Sequence, residues 1–181
     1  MAIASSMRST RIAVATAVIA VTTSLTAAPA HAGTENDVRR SLLYADEALE
    51  VTGLKGPLRP GSEGCRDTAE RVGCTREWQG DATRATIPTT VSVNVYATPK
   101  LARWALQDVK DDAPPHVVRV GRRVLIAYYE SSRNGTEAFG WKRVGSTVVR
   151  VGCTGPKSQR AESVTCVEDL LAAQVTRAPR S

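Results

Sequence analysis

The sequence predicts an α+β domain, with about five antiparallel strands packed against two or three helices and two disulfides holding the ends. Three observations carry this. Apolar residues recur at intervals of three and four in Val38, Leu42, Ala45 and Leu49, in Leu101, Ala105 and Val109, and in Val164, Val167, Leu170, Leu171 and Val175, the helical period. Val91, Val93 and Val95 alternate with Ser92, Asn94 and Tyr96, the period of a half-buried strand. Finally, four cysteines stand as two close pairs, Cys65 with Cys74 and Cys153 with Cys166.

Residues 1–32 read as an export leader. Arg8 and Arg11 precede the uncharged stretch Ile12 to Leu25, and Ala30-His31-Ala32 supplies a small-x-small cleavage site. The stretch is diluted by threonines and followed by Pro29, whereas a membrane anchor needs about 20 strongly apolar residues. The expectation is a single secreted domain over residues 33–181, with no transmembrane segment in the mature chain. Without the leader's two arginines, Lys+Arg falls from 24 to 22 against 18 Asp+Glu, and the net charge from +6 to +4. His116 is the one histidine outside the leader, which excludes a multi-histidine metal site.

The elements follow in order. Gly33 to Asn36 forms a loose tail, Asp37 caps one helix running to Gly53, and Lys55 to Gly64 is a Gly/Pro-rich loop. Arg66 to Val72 makes two helical turns ended by Gly73, and Glu77 to Arg84 is irregular. After the strand Val91–Tyr96, Thr98 and Pro99 open a helix as N-cap and first helical residue, and the segment from Asp111 to Pro115 ends it. Two related phrases, Arg119-Val120-Gly121-Arg122-Arg123-Val124 and Arg143-Val144-Gly145-Ser146-Thr147-Val148, each read as a hairpin with Gly at the first turn position. Their strands are 117–120 with 124–129, and 139–144 with 147–151, joined by a polar Asn-Gly turn over 131–135. A C-terminal helix follows a loop over 155–162, and residues beyond Arg177 fray.

Export gives the cysteines an oxidising compartment, which favours disulfides over metal. Three pairings are possible. Cys65–Cys74 and Cys153–Cys166 are favoured because each closes a short loop at small entropic cost. A four-cysteine zinc site lacks any Cys-x2-Cys spacing.

The run Ser41-Leu42-Leu43-Tyr44-Ala45-Asp46-Glu47-Ala48-Leu49-Glu50-Val51-Thr52-Gly53-Leu54, the Val-rich strand before a Pro-led helix, and Arg143 to Val149 before Cys153 together resemble the extracellular sensor domains of actinobacterial Ser/Thr kinases and related small secreted or lipid-anchored proteins. The resemblance spans most of residues 38–171. It implies a curved antiparallel sheet, two disulfides, a cleft for an unidentified ligand and no known catalysis. The chain departs from those proteins in lacking a kinase, a membrane segment and a lipid-attachment cysteine.

Catalytic constellations are sparse. His116 follows Pro114-Pro115 at a strand mouth, where a surface loop histidine is the ordinary explanation, and no Gly-x-Ser-x-Gly elbow accompanies it. Adjacent acids, Asp46-Glu47 and Asp111-Asp112, diverge by about 100° on a helix and do not face each other. Glu130 and Glu137 are the pair that could converge across a turn. No phosphate-cradling glycine motif or other cofactor motif occurs, and basic residues interleaved with aromatics for nucleic acid are missing. Arg122-Arg123 projects from a turn and could make weak contact with an anionic cell-envelope polymer, but a solubilising turn is the favoured explanation because a net charge of +4 is ordinary for a domain this size. Trp141 with Tyr128 and Tyr129 is the candidate aromatic patch lining a ligand cleft, and Trp104 reads as core or half-buried.

The function expected is therefore a secreted, non-catalytic, sensor-like module binding an extracellular ligand or protein partner. Two alternatives stand beside it. One is a secreted protease inhibitor presenting the disulfide-braced loop from Lys55 to Cys74. The other is a hydrolase using His116.

Overall fold

The computed structural model describes residues 34–112, 115–130 and 135–179. The expected leader, Ser131 to Asn134 of the expected Asn-Gly turn, and the last two residues lie outside them. The chain runs α1 (Glu35–Ser41), α2 (Ala45–Thr52), β1 (Arg59–Asp67), β2 (Arg71–Gln79), β3 (Ile87–Tyr96), α3 (Pro99–Asp111), β4 (His116–Gly121), β5 (Val124–Glu130), β6 (Gly135–Val144), β7 (Thr147–Pro156), a single 3-10 turn (Lys157–Gln159) and α4 (Arg160–Arg177). All seven strands form one antiparallel sheet in the order β1-β2-β3-β7-β6-β5-β4.

Alternation assigns the two faces. Val91, Val93 and Val95 of β3 register with Val151, Val149 and Thr147 of β7, and these valines are sealed against Val167, Leu170 and Leu171 of α4. The other face carries Leu125, Trp141 and Phe139, on which α3 lays Leu106 and Val109. The sheet is thus sandwiched, with α1, α2 and α4 on one side and α3 on the other. On the α4 side Gly140 leaves no space: a Cβ there would lie 2.6 Å from Val167 Cγ1 and 3.2 Å from Leu171 Cδ2. Gly140→Ala is expected to destabilise by about 1–3 kcal/mol through overpacking, read as a lowered urea midpoint at unchanged slope.

Several expectations hold. Thr98 caps α3 by accepting the Leu101 N–H at 3.2 Å, with Pro99 next to it. The second hairpin turns at Gly145-Ser146, where Gly145 has φ +60°. Both disulfides pair as favoured, Cys65–Cys74 and Cys153–Cys166, with Cα separations of 4.1 and 6.3 Å. The first joins directly opposed residues of β1 and β2, while the second ties β7 to α4.

Seven strands replace the expected five, because the stretch read as loop and helical turns is the hairpin β1–β2. Two features hide it. As an edge strand β1 fully buries no residue and keeps its proline, Gly64 and its charges exposed. In β2 the inward row is Val72, Cys74, Arg76 and Trp78, so a cation interrupts the apolar alternation.

The expected single helix over 37–53 is likewise two helices. Thr34 caps the first, in a reciprocal pair with Asp37, so the tail begins helical structure earlier than expected. The break at Leu42–Tyr44 is held from the sheet side and from α4. Buried Arg76 donates from Nη1 to the carbonyls of Leu42 (3.1 Å) and Leu43 (2.8 Å), and from Nε to Glu63 (2.7 Å). Fully buried Gln174 accepts the Leu43 N–H at 2.9 Å and donates to the Ser41 carbonyl at 2.7 Å. Backbone groups that a helix would have paired internally are satisfied by these two side chains.

In the first hairpin the turn is Arg122-Arg123, and Gly121 instead pairs with Val124 as the last residue of β4. The two phrases therefore turn one position out of step. The register also shifts between Val117 and Arg119, leaving a bulge at Val118 on this outer strand. Cys153 lies within β7, which runs on to Pro156, and α4 starts at Arg160 where a loop was expected. Of the residues expected to fray, Ala178 and Pro179 are docked: Ala178 is buried and the Pro179 carbonyl accepts from Thr147 Oγ1 at 2.8 Å. No helix among the described residues is long and apolar enough to cross a membrane.

Candidate functional site

The three aromatic candidates do not form one patch. Tyr128 and Tyr129 are consecutive on β5 and so take opposite faces. Tyr128 lies on the α4 side, stacked on His116 with ring centroids 4.7 Å apart and Arg160 over its ring at 5.5 Å. Tyr129 is half-exposed on the α3 side, edge-on to Phe139, whose centroid is 5.8 Å from that of Trp141. Trp141 itself is buried with Leu106 and Leu125, so its ring fills space under α3. Arg150 extends over Phe139 and Trp141 at 5.0 and 5.9 Å.

The acid-base candidates are equally separated. Among the described residues His116 is in contact with Tyr128 and has no hydrogen-bonded acid or hydroxyl. Glu130 stands on the α4 side, salt-bridged to Lys157 at 2.8 Å and Arg160 at 3.4 Å. The Lys157 hydrogen bond, with Arg160 behind it, holds its carboxyl below the usual range. Glu137 registers with Tyr129 and faces the other side, so the two acids do not converge. Of the Lys55–Cys74 segment, the part from Arg59 onward forms the β1–β2 hairpin rather than a free braced loop. No cluster of metal-ligating residues occurs among the described residues.

Glu47 is employed structurally. It accepts the Tyr44 N–H at 2.7 Å and pairs with Arg177 at 2.6 Å. Chiefly that backbone bond, with Arg177 adding to it, lowers its pKa. A lowered folded value means stability that is present above the unfolded value of about 4.3 and is lost as pH falls through the folded value. The gap in melting temperature between wild type and Glu47→Gln should therefore close on acidification below about pH 4.5. A gap constant down to pH 2.5 or so would contradict this coupling.

The more voluminous concavity is an open groove where α3 faces the β1–β2 turn. The groove, of about 670 Å³, is lined by Arg66, Glu70, Arg71, Tyr96, Trp104 and Asp108, among others. The turn is fixed to the end of β3 by the Ala97 N–H, which donates to the Glu70 carbonyl at 2.8 Å. Trp104 is 52 % exposed, and Lys100 one turn earlier sits 4.5 Å above its ring. A smaller pocket of about 220 Å³ beside Tyr44 and Trp78 is floored by Arg76, whose guanidinium is already engaged. The groove thus brings together two aromatic surfaces, Tyr96 and Trp104, with arginines and carboxylates along its walls.

Trp104 was expected to be core or half-buried. On a helical wheel it lies about 200° from both Ala102 and Leu106, the residues α3 buries, so its exposure is encoded in the spacing. Arg66, Arg71 and Tyr96 could not be grouped with it before the β1–β2 hairpin was known.

No family model matches the chain, and no curated protein matches it. Among solved structures it is similar to the crystal structure of the extracellular domain of PknH from Mycobacterium tuberculosis, at 14 % identity and a TM-score of 0.49, over 77 % of this chain and 97 % of that one.

Proposed function

We propose that this chain acts outside the cell as a non-catalytic, sensor-type binding module whose ligand face is the groove between α3 and the β1–β2 turn. The observation that carries the reading is Trp104. A large aromatic held half in water on a rigid helix, opposite Tyr96 and within a ring of charged side chains, gives apolar contact area with polar groups to set orientation. The leader pattern and the two short-loop disulfides support an oxidising, extracellular setting. Among the described residues His116 has no hydrogen-bonded acid, and Glu130 and Glu137 lie on opposite faces, which favours recognition over acid-base chemistry.

The probe is 8-anilinonaphthalene-1-sulfonate, an aromatic anion that suits an aromatic and arginine surface. Its emission is expected to rise saturably with the purified protein, and to fall several-fold with Trp104→Ala or Arg71→Ala at unchanged circular dichroism. Equal emission from wild type and both variants would overturn the assignment of the groove.

A further inference from the structure

At the end of the sheet where the β4–β5 and β6–β7 turns meet α3, four arginines gather. Arg143 of β6 is 7 % exposed, and its backbone N–H donates to the carbonyl of Arg123 at 2.8 Å, so the two are cross-strand neighbours. Like charges placed directly opposite in a ladder destabilise it. Arg143 donates from Nη1 to the Gly145 carbonyl at 2.9 Å, while its Nε is buried with no hydrogen-bond partner. Arg103 of α3 and Arg122 of the turn lie within electrostatic reach. Burial first, then Arg123, Arg103 and Arg122, push the Arg143 guanidinium below its ordinary pKa. Among the described residues no ion pair involves any of these four. Nearby, Lys110 is already engaged with the Gly121 carbonyl at 2.6 Å, and Asp111 with Gln107 at 2.8 Å.

A buried cation with an unpaired donor, facing three exposed cations and no carboxylate, is incomplete by itself. We propose that this cluster is a binding site for a phosphate-type oxyanion, with Arg103, Arg122 and Arg123 as the open donors and Arg143 as the floor. The class follows from the donors. Guanidinium forks match the paired oxygens of a tetrahedral oxyanion, and four of them supply more donors than the two oxygens of a carboxylate can accept. Free phosphate and the phosphodiesters of an anionic envelope polymer share this chemistry. The site is separate from the Trp104 groove and goes beyond the reading of it.

The test compares melting temperatures of the purified protein in orthophosphate and in chloride at matched pH and ionic strength. Phosphate is expected to raise the melting temperature saturably, as a ligand selective for the folded state does. Arg122→Gln/Arg123→Gln, both exposed turn residues, should weaken the apparent affinity by roughly tenfold or more, the worth of a charge-assisted contact. The same variant without phosphate should melt no lower than wild type, since like-charge repulsion is relieved. Poly(glycerol phosphate) binding more tightly than orthophosphate would identify the polymer as the source, and equal affinity would identify the free ion. A chloride effect equal to that of phosphate, or wild-type affinity in the double variant, would overturn the site. Trp104→Ala leaves this cluster untouched, so failure of the dye experiment and failure of this one are separable.

Discussion

Gln174→Leu is expected to lower the free energy of unfolding by about 2–5 kcal/mol, a large fraction of the stability of a domain this size. The side chain is nearly isosteric, so the loss is not one of volume. It strands the Leu43 N–H and the Ser41 carbonyl, both otherwise satisfied by the buried amide. Each unsatisfied buried group costs about 1–3 kcal/mol. The check is urea denaturation followed by circular dichroism, with the midpoint falling and the slope unchanged. Gln174→Glu at a pH where its carboxyl is ionised separates the two bonds, because the carboxylate keeps an acceptor for the Leu43 N–H and has no donor for the Ser41 carbonyl. Amide exchange should accelerate first in α1 and α2, which lose their anchor while the sheet does not. A loss below about 1 kcal/mol for Gln174→Leu would mean that the linker between these helices finds other partners.

The second large effect concerns the disulfides, whose loops are similar. With sequence separations of 9 and 13, the chain-entropy model assigns each bridge about 3 kcal/mol. Their surroundings are not alike. Cys153 and Cys166 are both buried and join the sheet to α4, whereas Cys65 lies on the exposed edge strand beside a partner already paired to it by the ladder. Cys153→Ser/Cys166→Ser should therefore cost the entropic amount plus that of placing two hydroxyls in an apolar core, together about 4–6 kcal/mol. Cys65→Ser/Cys74→Ser places one hydroxyl in the core, at Cys74, and one at the edge, and should cost less, about 3–4 kcal/mol. Thermal melts of the two double variants decide it, and equal losses would show that burial contributes nothing beyond loop closure.

Features determined by near neighbours were readable in the sequence. The alternation of β3, the Thr98-Pro99 start of α3, the Gly145-Ser146 turn and both short-loop disulfides each depend on residues within about a dozen positions. The break between α1 and α2 was not readable, because the groups that hold it come from Arg76 and Gln174, more than thirty and more than a hundred and thirty residues away. Arg76 also concealed β2, since a charged residue at an inward position reads as exposed unless its partners are known. The candidate site divides in the same way. The separation of Tyr128 from Tyr129 and the outward placement of Trp104 follow from the periods of strand and helix. The groove itself depends on the β1–β2 hairpin, which places Arg66 and Arg71 beside α3.

The dependence of the α1–α2 linker on Gln174 bears on the order of assembly. In a chain made from its N-terminus these two helices precede all seven strands, and α4 supplies the amide that holds their linker only after those strands. Until then the leading segment is a pair of helices too short to persist alone. Arg76 can hold the linker from β2 once the sheet forms, but the Leu43 N–H and the Ser41 carbonyl stay unpaired by Gln174 until α4 docks, so the last helix completes the anchoring of the first two.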